Sequence, residues 1–156
     1  MDTNEIHEGG CSCGAVRYQT TGKPERVGVC HCRYCQTRTG SAFGVSVYFK
    51  NVNVQRTSGD LNKYEFKTES GRSFVQEFCP ICATTLFWTV EVFEGMIGVA
   101  GGSFDPPSFW YDIDREVFCR TRAAWINNDI DEKHDTHPNY EPVTKDQGGL
   151  SHSKTS

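Results

Sequence analysis

The chain has 156 residues, which is enough for one domain with a hydrophobic core of its own. Hydrophobic residues at 37% and aromatic residues at 12% exclude a disordered chain, and 23% charged residues is ordinary. A net charge of −4 and a pI near 5.7 argue against a nucleic-acid partner, which needs a basic surface to displace counterions. No apolar run reaches the length of a membrane span, so no membrane partner is expected. Met1 to Gly10 is polar and acidic, without the basic-then-apolar pattern of a secretory leader, and the expected location is cytoplasmic.

In chain order, short period-two runs dominate. Residues 14–20 set Val16 and Tyr18 against Arg17 and Gln19. A short helix is expected over residues 33–39, ending at Gly40 as a left-handed cap. Phe43, Val45, Val47 and Phe49 then face one way, with Gly44, Ser46 and Tyr48 between them. Further strands are expected at residues 52–57, 61–66, 72–78, 85–92, 96–99 and 116–121, and a turn around 123–127. Gly22-Lys23-Pro24, Ser58-Gly59-Asp60, Ser70-Gly71, Gly101-Gly102 and Asp105-Pro106-Pro107 punctuate the runs. Many short strands with turn signals between them predict a mainly β domain over residues 1–130. From 131 to 156 the apolar period is lost, and a polar, flexible C-terminal tail is expected. His134 and His137, within that stretch, are assigned no role.

Eight cysteines are many for a chain of this size in a reducing compartment. Seven fall in three clusters: Cys11/Cys13, Cys30/Cys32/Cys35 and Cys79/Cys82. At such spacings, and without a secretory leader, metal ligation is favoured over a disulfide framework. Zinc sites are built from thiolates delivered in pairs by tight turns, because two sulfurs about 2.3 Å from one ion need a short span. Cys79-Pro80-Ile81-Cys82 is such a knuckle, and Cys11-Ser12-Cys13-Gly14 is a tighter one in which Gly14 takes the bend. Two such turns meeting across a sheet make a closed four-thiolate clasp with no room for substrate. Cys30-His31-Cys32-Arg33-Tyr34-Cys35 instead gathers three thiolates and leaves the fourth position to Cys119, His31 or an outside molecule. Cys119, alternating with Phe118 in an expected strand, reads as a small inward hydrophobe.

The segments Gly10-Cys11-Ser12-Cys13-Gly14-Ala15-Val16-Arg17-Tyr18, Cys30-His31-Cys32-Arg33-Tyr34-Cys35 with Gly40-Ser41, and Phe78-Cys79-Pro80-Ile81-Cys82 are joined by two later pieces. These are Ala100-Gly101-Gly102-Ser103-Phe104-Asp105 and Arg122-Ala123-Ala124-Trp125. Together they resemble the glutathione-dependent formaldehyde-activating enzyme (GFA)/CENP-V domain family over about residues 8–126. The resemblance implies a β-tent-like fold of short antiparallel strands stapled by a four-cysteine zinc site. It implies two Zn2+ ions per chain, a structural one on Cys11, Cys13, Cys79 and Cys82 and a catalytic one on Cys30, Cys32 and Cys35. It further implies carbon–sulfur lyase-type chemistry on a glutathione-like thiol adduct of a small aldehyde. Where the family has glycine after the C-x-x-C, this chain has Ala83, and a positive φ there costs on the order of 1 kcal/mol. The His-Asn-His and Trp-Lys-Pro stretches of the dedicated formaldehyde-activating enzymes are replaced by Glu25-Arg26-Val27-Gly28-Val29 and Gln36-Thr37-Arg38.

Around a three-thiolate site, Arg38 and Arg122 are candidates to clamp an anionic small-molecule thiol, and Trp125 and Trp110 are candidates to wall the pocket. His31 is the nearest titratable group, either for proton transfer or as a hydrogen-bonding support. Two other function classes fit the same residues. One is a zinc-stabilised module that binds a protein partner without catalysis. The other is a zinc lyase or hydrolase acting on a different small carbonyl or sulfur compound.

Overall fold

A computed structural model of the chain describes residues 3–68 and 70–139. The order is β1 (Ile6–Gly10), β2 (Arg17–Thr21), β3 (Arg26–Cys30), α1 (Arg33–Thr39), β4 (Gly44–Lys50), β5 (Val54–Ser58), β6 (Asn62–Lys67), β7 (Ser73–Phe78), β8 (Thr85–Val90), β9 (Met96–Ala100) and β10 (Arg115–Val117). The protein is therefore mainly β, with α1 the only α-helix among the described residues. One sheet has three strands in the order β1-β2-β5, and the other has seven in the order β10-β3-β4-β9-β8-β7-β6. Pairing is antiparallel throughout except β10, which lies parallel to β3 with Glu116 opposite Val29.

Several sequence expectations differ in detail. The strands at Ile6–Gly10 and Arg26–Cys30 were not legible, because the first has almost no apolar period and the second offers only Val27 and Val29 around a glycine. The run at 116–121 is strand only to Val117. Phe118 then turns left-handed at φ 57°, and Cys119–Thr121 is a 3-10 turn. Cys119 is thus half-exposed on a turn, rather than an inward strand residue.

The helix matches its expected bounds. Gly40 caps it at φ 64°, its N–H donating to the Gln36 carbonyl, and Cys32 caps its start, Sγ accepting the Cys35 N–H. Gln36 ties the helix to its surroundings by donating to the carbonyls of Ala42 and Thr121, each at 3.1 Å.

The period-two rule gives the large sheet two distinct faces. One face, carrying Val47, Phe49, Phe87 and Val99, packs against Val16, Tyr18 and Phe104 to form the main core. The loop 100–105 fastens the small sheet across it. Ser103 Oγ lies 2.7 Å from Tyr18 Oη, Asp105 N–H donates to the Glu8 carbonyl, and the Asp105 carboxylate takes both guanidinium nitrogens of Arg17. The opposite face carries Tyr48, Trp88, Phe74 and Val90, with Phe93 from the turn after β8 packed against them, and there the sheet is left open to a cavity.

Residues 132–136 continue past the expected domain end and run beside β10. Glu116 N–H donates to the Glu132 carbonyl, His134 N–H to the Glu116 carbonyl and Phe118 N–H to the Thr136 carbonyl. The first part of the expected tail is therefore hydrogen-bonded to the domain. The remainder, from residue 140, lies outside the described residues.

Candidate metal centres

The first cluster joins two turns that leave opposite sheets. After β1, Cys11 N–H donates to the Val16 carbonyl and Gly14 N–H to the Cys11 carbonyl, with Gly14 at φ 79° closing the turn. After β7, Cys79 N–H donates to the Thr84 carbonyl and Ala83 N–H to the Cys79 carbonyl, with Ala83 at φ 64°. That is the left-handed position the sequence flagged. Thr84 Oγ1 links the turns, accepting from Ser12 N–H at 3.1 Å and lying 3.2 Å from Cys82 Sγ. The Thr84 hydroxyl and backbone hold the Cys82 thiol down at about 5.

The four sulfurs lie within 4.8 Å of one another, with Cys11–Cys13 at 3.6 Å and Cys13–Cys79 at 3.8 Å. A tetrahedron with bonds of about 2.3 Å has edges of about 3.8 Å, so these distances fit a four-thiolate zinc site. All eight cysteines are free thiols.

The second cluster, Cys30, Cys32 and Cys35, likewise has its sulfurs within 4.8 Å. Hydrogen bonds from the neighbouring thiols concentrate the negative charge on one of them. The Cys30 thiol is pushed well up by its contacts with Cys32 and Cys35, while Cys35 is pulled well down by Cys30 and Cys32 and further by the charge of Arg38. A set of buried sulfurs sharing protons in this way is suited to a soft cation.

His31 fixes the loop that brings these sulfurs together. Its N–H donates to the Val117 carbonyl, its carbonyl accepts Thr121 Oγ1 at 2.6 Å, and its Nε2 meets Glu116 Oε1 at 2.9 Å. His31 and Glu116 are both fully buried. Burial opposes ionisation of Glu116. Hydrogen bonds from Asn128 and His31 and the charge of Arg122 outweigh it and hold the carboxyl below the ordinary range. An ionised carboxylate only accepts, so Nε2 of His31 donates to it. His31, Glu116 and Cys119 also place their ligand atoms within 4.8 Å. Arg122 at 3.3 Å and Lys133 at 3.7 Å already neutralise that carboxylate, however, and the set is an ion-pair network.

The three thiols open onto a cavity of about 110 Å³ on the open face of the large sheet. Its floor is Ser46 and Tyr48 of β4 with Trp88 of β8; Arg26, Arg72 and Arg115 stand around it, and Phe93, Phe118 and His137 close one side. Such a volume takes the reacting end of a thiol adduct rather than a whole tripeptide, since pockets for whole drug-sized ligands run to about 300–1,000 Å³. Burial keeps the Tyr48 phenol protonated well above its usual range, and its oxygen accepts the Trp88 indole N–H at 3.1 Å.

The candidate substrate residues divide. Arg38 lies behind the site, its guanidinium 3.9 Å over the Trp88 ring and its charge acting on Cys35. Arg122 is directed at Glu116 and does not line the cavity. Trp125 is 76% exposed, and Trp110 stacks on His7 at 3.5 Å, so neither walls it. Tyr48, Glu116 and the cavity arginines escaped sequence reasoning. For Tyr48 and Ser46 a signal existed, since the period of β4 puts them opposite the core residues Val47 and Phe49. Glu116 had none, because its partners come from residues 31, 122, 128 and 133.

A mainly β domain bearing a four-thiol cluster and a three-thiol cluster defines a class of cysteine-rich proteins whose sulfurs can hold metal. The family model described as glutathione-dependent formaldehyde-activating enzyme matches residues 6–121, and the chain belongs to this family. A solved structure of a Rhodobacter sphaeroides protein, a structural-genomics target, is similar in fold with a TM-score of 0.52 and 18% identity. The alignment covers 68% of this chain and 96% of that one.

Proposed function

We propose that the chain is a zinc-dependent carbon–sulfur lyase-type enzyme acting on a glutathione-like thiol adduct of a small aldehyde, in the cytoplasm. The observation that carries this reading is the convergence of Cys30, Cys32 and Cys35 at the wall of an aromatic, arginine-ringed cavity. In the same reading Cys11, Cys13, Cys79 and Cys82 hold a second, structural zinc, because four ligands leave no position for substrate. Zinc held by three thiolates supplies a soft acceptor with one open position suited to sulfur.

The chain's own groups account for the rest. Arg26 and Arg72 bring positive charge to the cavity for the carboxylates of an acidic thiol, beside Glu91 and beside Arg115, which Asp114 and Glu132 already pair. Trp88, Phe74 and Phe93 exclude water from the carbon that is transferred. Tyr48 keeps its proton at Oη, where it donates a hydrogen bond to the aldehyde oxygen as the thiol sulfur attacks the carbonyl carbon. The thiol gives up its proton to solvent, and the C–S bond forms as the carbonyl π pair moves to oxygen, which takes up a proton from solvent in turn. Cleavage is the reverse, with the hydroxyl losing its proton as the C–S pair returns to sulfur. His31 and Glu116 hold the loop and make no contact with substrate.

The test is metal analysis joined to turnover. The purified chain is expected to hold two zinc per molecule, and Cys35→Ser to lose one of them together with catalysed adduct formation from glutathione and small aldehydes. Full activity in Cys35→Ser, or a wild-type chain with no activity on any thiol–aldehyde pair, refutes the lyase reading.

A further inference from the structure

The family match ends at residue 121, yet a side chain from beyond it reaches the cavity. Residues 132–136 are hydrogen-bonded along β10 and the turn after it, through Glu116, Phe118, Cys119 and Arg120. This pairing sets where residue 137 emerges. The His137 ring lies 5.5 Å from Phe93 and 6.4 Å from Phe118, both of them cavity walls, and His137 lines the same space as Cys30, Cys32 and Cys35.

The Asn139 N–H donates to His137 Nδ1 at 3.1 Å, so in the neutral ring the proton sits on Nε2. Burial, and then the charges of Arg26, His134, Arg115 and Arg72, push the imidazole down to about 4, so it is neutral at physiological pH. Glu91 shares the cavity with Arg26, Arg72 and Arg115, and Arg115 is paired with Asp114 and Glu132, so a neutral donor adds a direction that the net charge does not supply.

We propose that His137 is a substrate-contacting, specificity-determining residue of the three-thiol cavity, supplied by the segment that pairs with β10. It recognises the acidic end of the thiol, Nε2–H donating to a carboxylate oxygen while the arginines balance the charge. This rests on the cavity being the thiol site proposed above.

Calorimetric titration of the zinc-loaded chain with two thiols tests it. Reduced glutathione carries the carboxylates, and 2-mercaptoethanol carries none. His137→Ala is expected to weaken glutathione binding about tenfold, the scale of one hydrogen bond to a charged group. It should leave 2-mercaptoethanol binding and zinc content unchanged, with a small fall in Tm from the lost ring contacts with Phe93 and Phe118. His137→Gln, whose amide still donates, is expected to recover most of the loss. Wild-type affinity for glutathione in His137→Ala overturns the assignment while leaving the thiol site standing. Equal losses for both thiols, or no recovery in His137→Gln, reduce His137 to a packing role and also overturn it. A wild-type chain that binds neither thiol overturns the reading of the cavity itself.

Discussion

Replacing Glu116 by glutamine tests whether the three-thiol loop is held by a buried charge. Glu116 is fully buried, with His31 Nε2 at 2.9 Å, Asn128 Nδ2 at 2.8 Å and the cations of Arg122 and Lys133 at 3.3 and 3.7 Å. Removing one member of a buried ion pair costs about 3–5 kcal/mol when the partner is left stranded. Here the Arg122 and Lys133 side chains are 25% and 39% exposed and can turn to water, and glutamine keeps the shape and one acceptor. The expected loss is therefore lower, about 2–4 kcal/mol. For a domain of this size that is a fall in apparent Tm of roughly 5–15 °C. Thermal unfolding of both proteins in one zinc-containing buffer at pH 7 measures it.

The pH dependence has a fixed sign. The folded carboxyl is held below its ordinary value, so its contribution is complete above the unfolded pKa, about 4.3, and is lost as pH falls through the folded one. The gap between wild type and variant must close on acidification below about pH 4.3. A gap at pH 7 within about 0.5 kcal/mol, the scale of a surface substitution, refutes the buried-charge account.

Other substitutions probe the fold around the sites. Ala83→Gly relieves a left-handed alanine worth about 1 kcal/mol, offset by about 0.4–1 kcal/mol of unfolded-state entropy. Tm should hold or rise by up to a few degrees, and a marked fall contradicts the backbone reading. Phe118→Gly, at a similar φ, should instead lower stability by about 3–5 kcal/mol in urea titration, because a buried ring is lost. Gly98→Ala sets a methyl 2.2 Å from Trp88 Nε1 and must displace the indole from Tyr48. A loss of about 1–3 kcal/mol in the same titration is expected, and an unchanged midpoint contradicts the packing. Trp125→Ala, removing a ring that is 76% exposed, should change stability by no more than about 0.5 kcal/mol and leave turnover intact. A loss of turnover would restore Trp125 to the site.

The metal knuckles were legible in the sequence because each is a local object. Cys79 to Cys82, Cys11 to Gly14 and Cys30 to Cys35 bring their thiols together within a turn, and a turn is specified by its own residues. The helix of Arg33–Thr39 with its Gly40 cap and the strain at Ala83 were readable for the same reason. Period two also gave both faces of β4. What surrounds the thiols was decided at long range. Glu116 reaches His31 only because β10 lies parallel to β3, a pairing across 85 residues that leaves no local pattern. The same network draws Arg122 away from the cavity, while the arginines that line it come from strands far apart in sequence, Arg26 on β3 and Arg115 on β10. His137 lies in a stretch too polar to predict any structure, and becomes part of the cavity because β10 has a free edge to pair with. Tight turns fix which atoms can meet a metal; the order of strands in the sheet fixes what the metal's open side faces.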